Sequence, residues 1–103
     1  MINAKFYTKS GELTGFSISG HAEYSDGDDI VCASVSSAVQ LTCNLITDSF
    51  KTEAEASAVG NTITLKLKSD DTNARKVLDG LKTHLTLIAE DYEGTIKITF
   101  TEV

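Results

Sequence analysis

Residues 53–68 read EAEASAVGNTITLKLK, two runs in which apolar and polar residues alternate on either side of Gly60-Asn61. A period of two places every second side chain on the same face of a strand. A Gly-Asn pair between two such runs is typical of a tight hairpin turn. We therefore predict two antiparallel strands here. Because both arms are amphipathic, the sheet they belong to should be mainly antiparallel, with one face covered.

On both sides of this hairpin the apolar pattern changes to that of a helix. Upstream, from Ile30 to about Phe50, apolar residues cover a broad arc and leave a narrow polar one, which predicts a largely buried helix with Asp29 as its N-cap. Downstream, from about Thr72 to Tyr92, apolar residues recur at spacings of four and three, which predicts a second helix that Gly94 ends. The predicted stripe of this second helix is Ala74, Leu78, Leu81, Leu85, Ile88 and Tyr92.

The outermost segments alternate again. Residues 2–7 and 16–19 predict two strands joined by a turn at 9–12, and residues 95–100 predict a final strand. The order is then ββαββαβ, an α+β fold in which a mainly antiparallel five-stranded sheet carries two helices on one face. The 103 residues fit a single domain, residues 1–103. The order in which the five strands pair does not follow from these patterns.

Composition and charge narrow the class of protein. The net charge of −6 disfavours a nucleic-acid backbone or an anionic membrane as a partner, and would suit a basic one. The N-terminal residues contain no apolar run typical of a signal peptide, and no stretch approaches the about 20 apolar residues of a membrane span. We therefore expect a cytoplasmic protein with reduced thiols. Cys32 and Cys43 lie eleven residues apart, about 16 Å along one helix and too far for a disulfide.

Residues 20–32, GHAEYSDGDDIVC, combine groups that can carry out chemistry. A histidine follows a predicted strand, an acidic loop comes next, and a cysteine falls in the predicted first turn of a helix. Unpaired N–H groups and the dipole at a helix N-terminus favour the thiolate of Cys32, and an imidazolium at His21 would do the same. The carboxylates in the loop oppose this effect. The segment predicts a Cys32/His21 pair able to perform nucleophilic catalysis.

Each of these residues also has an ordinary structural explanation. A helical cysteine is often a small buried apolar residue, and Cys43, in mid-helix, is assigned that role. His84 is predicted to be a partly exposed helix residue. Ser36 has a simple role in back-bonding to a helix carbonyl. From the residues alone, a catalytic pair and a purely structural one both remain open.

Gly20-His21-Ala22, followed by Asp29-Ile30-Val31-Cys32-Ala33, resembles the signature of the ribosomal-processing cysteine protease family (Prp). The small size and the predicted ββαββαβ order extend the resemblance over the whole chain. It implies a cytosolic endopeptidase that needs no metal or cofactor and acts as a homodimer. Its implied substrate is the precursor of large-subunit ribosomal protein twenty-seven, from which it removes an N-terminal extension.

Carried over residue by residue, the resemblance implies Cys32 as the nucleophile, His21 as the base, and Asp29 and Ser36 as supporting residues. The loop that would order on the substrate comprises Ala22, Glu23, Tyr24, Ser25, Asp26, Gly27 and Asp28. Two other functions remain open at this point. One is a non-catalytic, ribosome-associated binding module. The other is a thiol redox sensor at Cys32, which would lack a resolving cysteine within reach.

Overall fold

The computed structural model of the chain describes residues 1–20 and 28–103, without the side chains of residues 28 and 29. The predicted ββαββαβ order is confirmed. The elements are β1 (Ile2–Lys9), β2 (Glu12–Gly20), α1 (Asp28–Asn44) with a π-helical turn (Leu45–Ser49), β3 (Ala54–Val59), β4 (Thr62–Leu67), α2 (Thr72–Asp91) and β5 (Ile96–Glu102).

The five strands form one sheet in the order β3-β4-β2-β1-β5. Three neighbouring pairs are antiparallel and one, β1 with β5, is parallel. The fold class predicted from the sequence is therefore confirmed. The parallel pair is possible because α2 and its connections return the chain to the end of the sheet at which β1 begins. The sequence pattern did not indicate it, because β5 alternates as the antiparallel strands do.

The core lies between one face of the sheet and the two helices. On β1 Asn3 and Lys5 are exposed, whereas six inward side chains of the three central strands are at most 6% exposed. They are Ile2, Ala4, Phe6, Phe16, Ile18 and Leu65. Along α2 the predicted stripe is buried from Ala74 to Leu85, with Asp71 as N-cap accepting a hydrogen bond from the Ala74 N–H at 2.9 Å. Tyr92 differs from the prediction, since it lies just beyond the helix and is 42% exposed.

Helix α1 differs from the prediction in three ways. It begins at Asp28, so Asp29 lies in the first turn and is not the N-cap. Its end changes into the π-helical turn instead of continuing as α-helix to Phe50. It is also not largely buried, since Ile30 is 56% and Leu41 59% exposed. The reason is geometric: with no third layer in the described chain, only the face carrying Val31, Val35 and Val39 meets the core.

The segment Ile30–Ser49 is long and apolar enough to cross a membrane by length and composition alone, contrary to the expectation that no stretch approaches this. Polar residues are scattered through this segment, so it contains no unbroken apolar run, but its mean hydropathy is high. A core helix meets the same criterion, and Val31, Val35, Val39 and Ile46 do lie in the core. Only 28% of the segment is buried, however, which leaves apolar surface unaccounted for by this chain alone.

Candidate active site

Strand β2 ends at Gly20, at the edge where α1 begins. Gly20 has a φ of +93°, and a Cβ at this position would collide with the backbone oxygen of Met1. Only glycine fits both the backbone angle and the close approach of β1. His21 is the next residue, and it lies outside the described residues. The same holds for the predicted substrate loop from Ala22 to Gly27.

Cys32 is half-buried and packs against the core from α1. Because the helix begins at Asp28, Cys32 is its fifth residue and starts the second turn, not the first as predicted. The unpaired N–H groups of a helix are those of its first turn and the residue before it. These groups therefore precede Cys32 in the chain, around Asp28, Asp29 and Ile30. The helix dipole acts most strongly there.

Cys32 and the end of β2 share one cleft of about 250 Å³. It is lined by Ile2, Ile18, Ser19, Gly20, Cys32, Val35, Ser36, Val39, Ala58, Gly60, Asn61 and Ile63. The structure thus brings Cys32 together with Ser36, one turn further along α1, and with Gly20, which precedes His21. Ser36 is exposed at the cleft. Two threonine hydroxyls donate hydrogen bonds to the carbonyl oxygen four residues earlier: Thr42 to Ala38 in α1, and Thr47, in the π-helical turn, to Cys43.

The remaining cysteine and histidine lie elsewhere. Cys43 is half-buried, and burial raises the pKa of its thiol, which makes it a poor nucleophile at neutral pH. Neither it nor Cys32 takes part in a disulfide. His84 is exposed on α2 and lines a separate groove of about 700 Å³ between the two helices, as Leu41 and Leu81 do. The structural roles predicted for Cys43 and His84 are consistent with these positions.

Among the described side chains, those of residues 1–20 and 30–103, no group of three or more from His, Cys, Asp and Glu is arranged to hold a metal ion. The chemistry available at the described part of the cleft is that of a thiol beside a hydroxyl, above an apolar floor. A half-buried thiol in a cleft near the start of a helix is an arrangement suited to acyl transfer.

Comparison with known proteins identifies the family. The sequence model described as Cysteine protease Prp matches residues 1–97. The chain belongs to this family. This Prp family member is accordingly a cysteine protease, and the resemblance noted in its sequence is confirmed. No curated protein matches the chain by sequence.

Solved structures of the Prp fold superimpose closely on the chain. An essential ribosomal processing protease Prp from S. aureus, in complex with a covalently linked product peptide, has a TM-score of 0.88 at 23% identity, covering 98% of this chain and 100% of that one. The complex of the S. aureus protease with a substrate peptide has a TM-score of 0.84 at 25% identity and the same coverages. SMU.848 from Streptococcus mutans has a TM-score of 0.83 at 21% identity, covering 100% and 99%.

One wall of the cleft was not indicated by the sequence. Ala58, Gly60 and Asn61 belong to the β3–β4 hairpin, which was predicted only as a structural element. They reach the cleft of Cys32 because β4 pairs with β2, with Ile18 opposite Ile63. Local periodicity carries no information about which strands pair, so no pattern in this sequence could have placed them at the site.

Proposed function

We propose that Cys32 is the nucleophile and His21 the general base of an endopeptidase that removes the N-terminal extension of the precursor of large-subunit ribosomal protein twenty-seven. The observation that carries the proposal is the cleft shared by Cys32 and Gly20, the residue before His21. His84 lines the groove between the two helices, and Cys43 does not line the cleft. The family and the covalently linked product peptide in the S. aureus protease complex support covalent catalysis.

The proposed reaction is an acyl transfer through a thioester. His21 takes the proton of the Cys32 thiol, and the sulfur attacks the carbonyl carbon of the scissile bond. N–H groups of the first turn of α1 stabilise the negative oxygen of the tetrahedral intermediate. His21 then gives its proton to the leaving amine, and a water molecule, deprotonated by His21, hydrolyses the thioester and restores the thiol.

Asp29 and Ser36 are proposed as supporting residues. Asp29 lies in the first turn of α1, and Ser36 lines the cleft one turn beyond the nucleophile. Residues Ala22 to Gly27 are proposed to order over the bound substrate, while Asp28, predicted as the last residue of this loop, is the first residue of α1. The protein is proposed to work in the cytoplasm, where the thiols of Cys32 and Cys43 stay reduced. No direct contact with nucleic acid or membrane is part of the proposal.

We also propose that the protein is a homodimer. Ile30, Leu41 and Phe50 on and after α1 are each 46–59% exposed, and the groove between the helices is lined largely by apolar residues. A second copy covering this surface would remove it from water, which is the usual fate of a large apolar patch on a soluble domain.

The decisive experiment follows the mass of the extended precursor during incubation with the purified protein. Wild type, Cys43→Ala and His84→Ala should remove the extension, while Cys32→Ala and His21→Ala should not. Cys43 and His84 are matched controls, because they are the same residue types at positions that do not line the cleft. Cleavage by Cys32→Ala would refute the assignment of the nucleophile. Binding of the precursor without cleavage by any variant would favour a non-catalytic binding module.

A further inference from the structure

The cleft beside Cys32 has two walls that differ in chemistry. The α1 wall carries the thiol of Cys32 and the hydroxyl of Ser36. The opposite wall is the tip of the β3–β4 hairpin, where Ala58 presents only a methyl group and Gly60 has no side chain. If the cleft holds a substrate polypeptide, as the proposed function requires, that polypeptide contacts both walls.

The pairing of the strands determines which side chain of the hairpin enters the cleft. Ala58 lies opposite Ile63, and Ile63 lies opposite Ile18 on β2. Directly opposed residues share a face of the sheet, so these three side chains lie in one row. All three line the cleft, and Ile18 is in the core. Ser57 lies on the other face, opposite Thr64, whose hydroxyl is 3.2 Å from that of Ser17.

The dimensions of the cleft suit part of a polypeptide. Its volume of about 250 Å³ is below the roughly 300–1,000 Å³ of sites that enclose a small molecule. Its floor, formed by Ile2, Ile18 and Ile63 with Val35 and Val39 beside them, is apolar. Ala58 is exposed, so its methyl group does not fill the space next to it. A larger side chain at this position would project into the cleft opposite Cys32.

We propose that Ala58 limits the size of the substrate side chain that the cleft accepts beside Cys32. In this arrangement α1 supplies the nucleophile and the β3–β4 hairpin supplies selectivity. The occupant is one residue of the substrate polypeptide, adjacent to the scissile bond. An added side chain at position 58 would occupy the space of that residue and leave the chemistry at Cys32 intact.

The test compares Ala58→Leu with Ser57→Leu, which adds apolar bulk to the same strand but on the opposite face. The substrates are peptides spanning the cleavage junction of the extended precursor, with Gly, Ala, Leu or Phe substituted at each position flanking the scissile bond. Ala58→Leu should lower kcat/KM for the natural junction about tenfold or more, mainly through KM, since a few methylene groups in an apolar pocket discriminate by that amount. At one of the substrate positions flanking the scissile bond, Ala58→Leu should also shift the preference of the enzyme toward Gly or Ala.

Two control measurements accompany this comparison. Ser57→Leu should retain the wild-type preference, and iodoacetamide should alkylate Cys32 at the same rate in all three proteins. Loss of kcat/KM in Ala58→Leu without a change of size preference would overturn the inference, as would an equal loss in Ser57→Leu. If the wild type cleaves no junction peptide and no precursor, the proposed function fails, and the inference with it.

Discussion

Cys32 and Cys43 are about three turns apart on one helix, and their surroundings separate their roles. Both are half-buried against the core, but Cys32 also lines the cleft at the end of β2, whereas Cys43 does not line it and burial raises the pKa of its thiol. The proposed role of Cys32 in catalysis and the packing role of Cys43 both follow from what each side chain faces.

Glu102 gives a prediction at the scale of one residue. Hydrogen bonds from the Thr8 hydroxyl at 2.7 Å and the Ser10 N–H at 2.9 Å hold the pKa of this carboxyl below its ordinary value. A depressed pKa in the folded state stabilises the protein above the ordinary value of 4.5, and this contribution is lost as pH falls through the folded pKa. Glu102→Gln should therefore destabilise the protein at pH 7, and its difference from wild type should shrink on acidification.

Urea unfolding of both proteins between pH 7 and pH 3 measures this difference. Glu93→Gln, in the turn after α2, serves as the control for removing one negative charge. A wild-type advantage over Glu102→Gln that stays constant or grows as the pH falls would contradict the prediction.

At the scale of elements, the glycines of α2 and β2 have opposite constraints. A Cβ at Gly80, in the middle of α2, would meet no atom within 4 Å outside the helix's own backbone. A Cβ at Gly15 on β2 would collide with the backbone oxygen of Leu65 on β4. Glycine weakens a helix but is required where two strands approach this closely.

We therefore expect Gly80→Ala to stabilise the protein by up to about 1 kcal/mol, since alanine is the better helix former. Gly15→Ala should destabilise it by about 1–3 kcal/mol, because the β2–β4 ladder must shift to admit the methyl group. Free energies of unfolding from urea titrations test both values. Destabilisation by Gly80→Ala, or no effect of Gly15→Ala, would contradict the constraint assigned to that glycine.

For the whole molecule, the unburied apolar surface of α1 bears on the proposed homodimer. Leu41→Glu places a charge in the groove between the helices and should convert the dimer to monomer, as read by light scattering during gel filtration. Leu87→Glu is the matched control, since Leu87 is 53% exposed on α2 but does not line the groove. A monomeric wild type, or a Leu41→Glu protein that remains dimeric, would contradict the proposal.

The charge of −6 leads to a further prediction for the whole molecule. If the acidic protein attracts a basic ribosomal precursor, kcat/KM for the precursor should fall as salt rises from about 0.01 M to 1 M, where the Debye length shortens from about 30 Å to 3 Å. An uncharged junction peptide should show little salt dependence. Equal rates for the precursor at both salt concentrations would exclude electrostatic steering.

The amino-acid sequence by itself determined the element order, the two hairpins and the stripe of α2 from Ala74 to Leu85, and it singled out Cys32 and Ser36, which line the cleft. These features follow from local periodicity, turn residues and a short motif, all of which act between near neighbours in the chain. Tertiary structure alone decided that β5 pairs parallel to β1, that α1 is only partly covered, and that Ala58 lies across a cleft from Cys32. These features depend on contacts between residues that are far apart in the sequence, and such contacts form only when several elements pack together around one core.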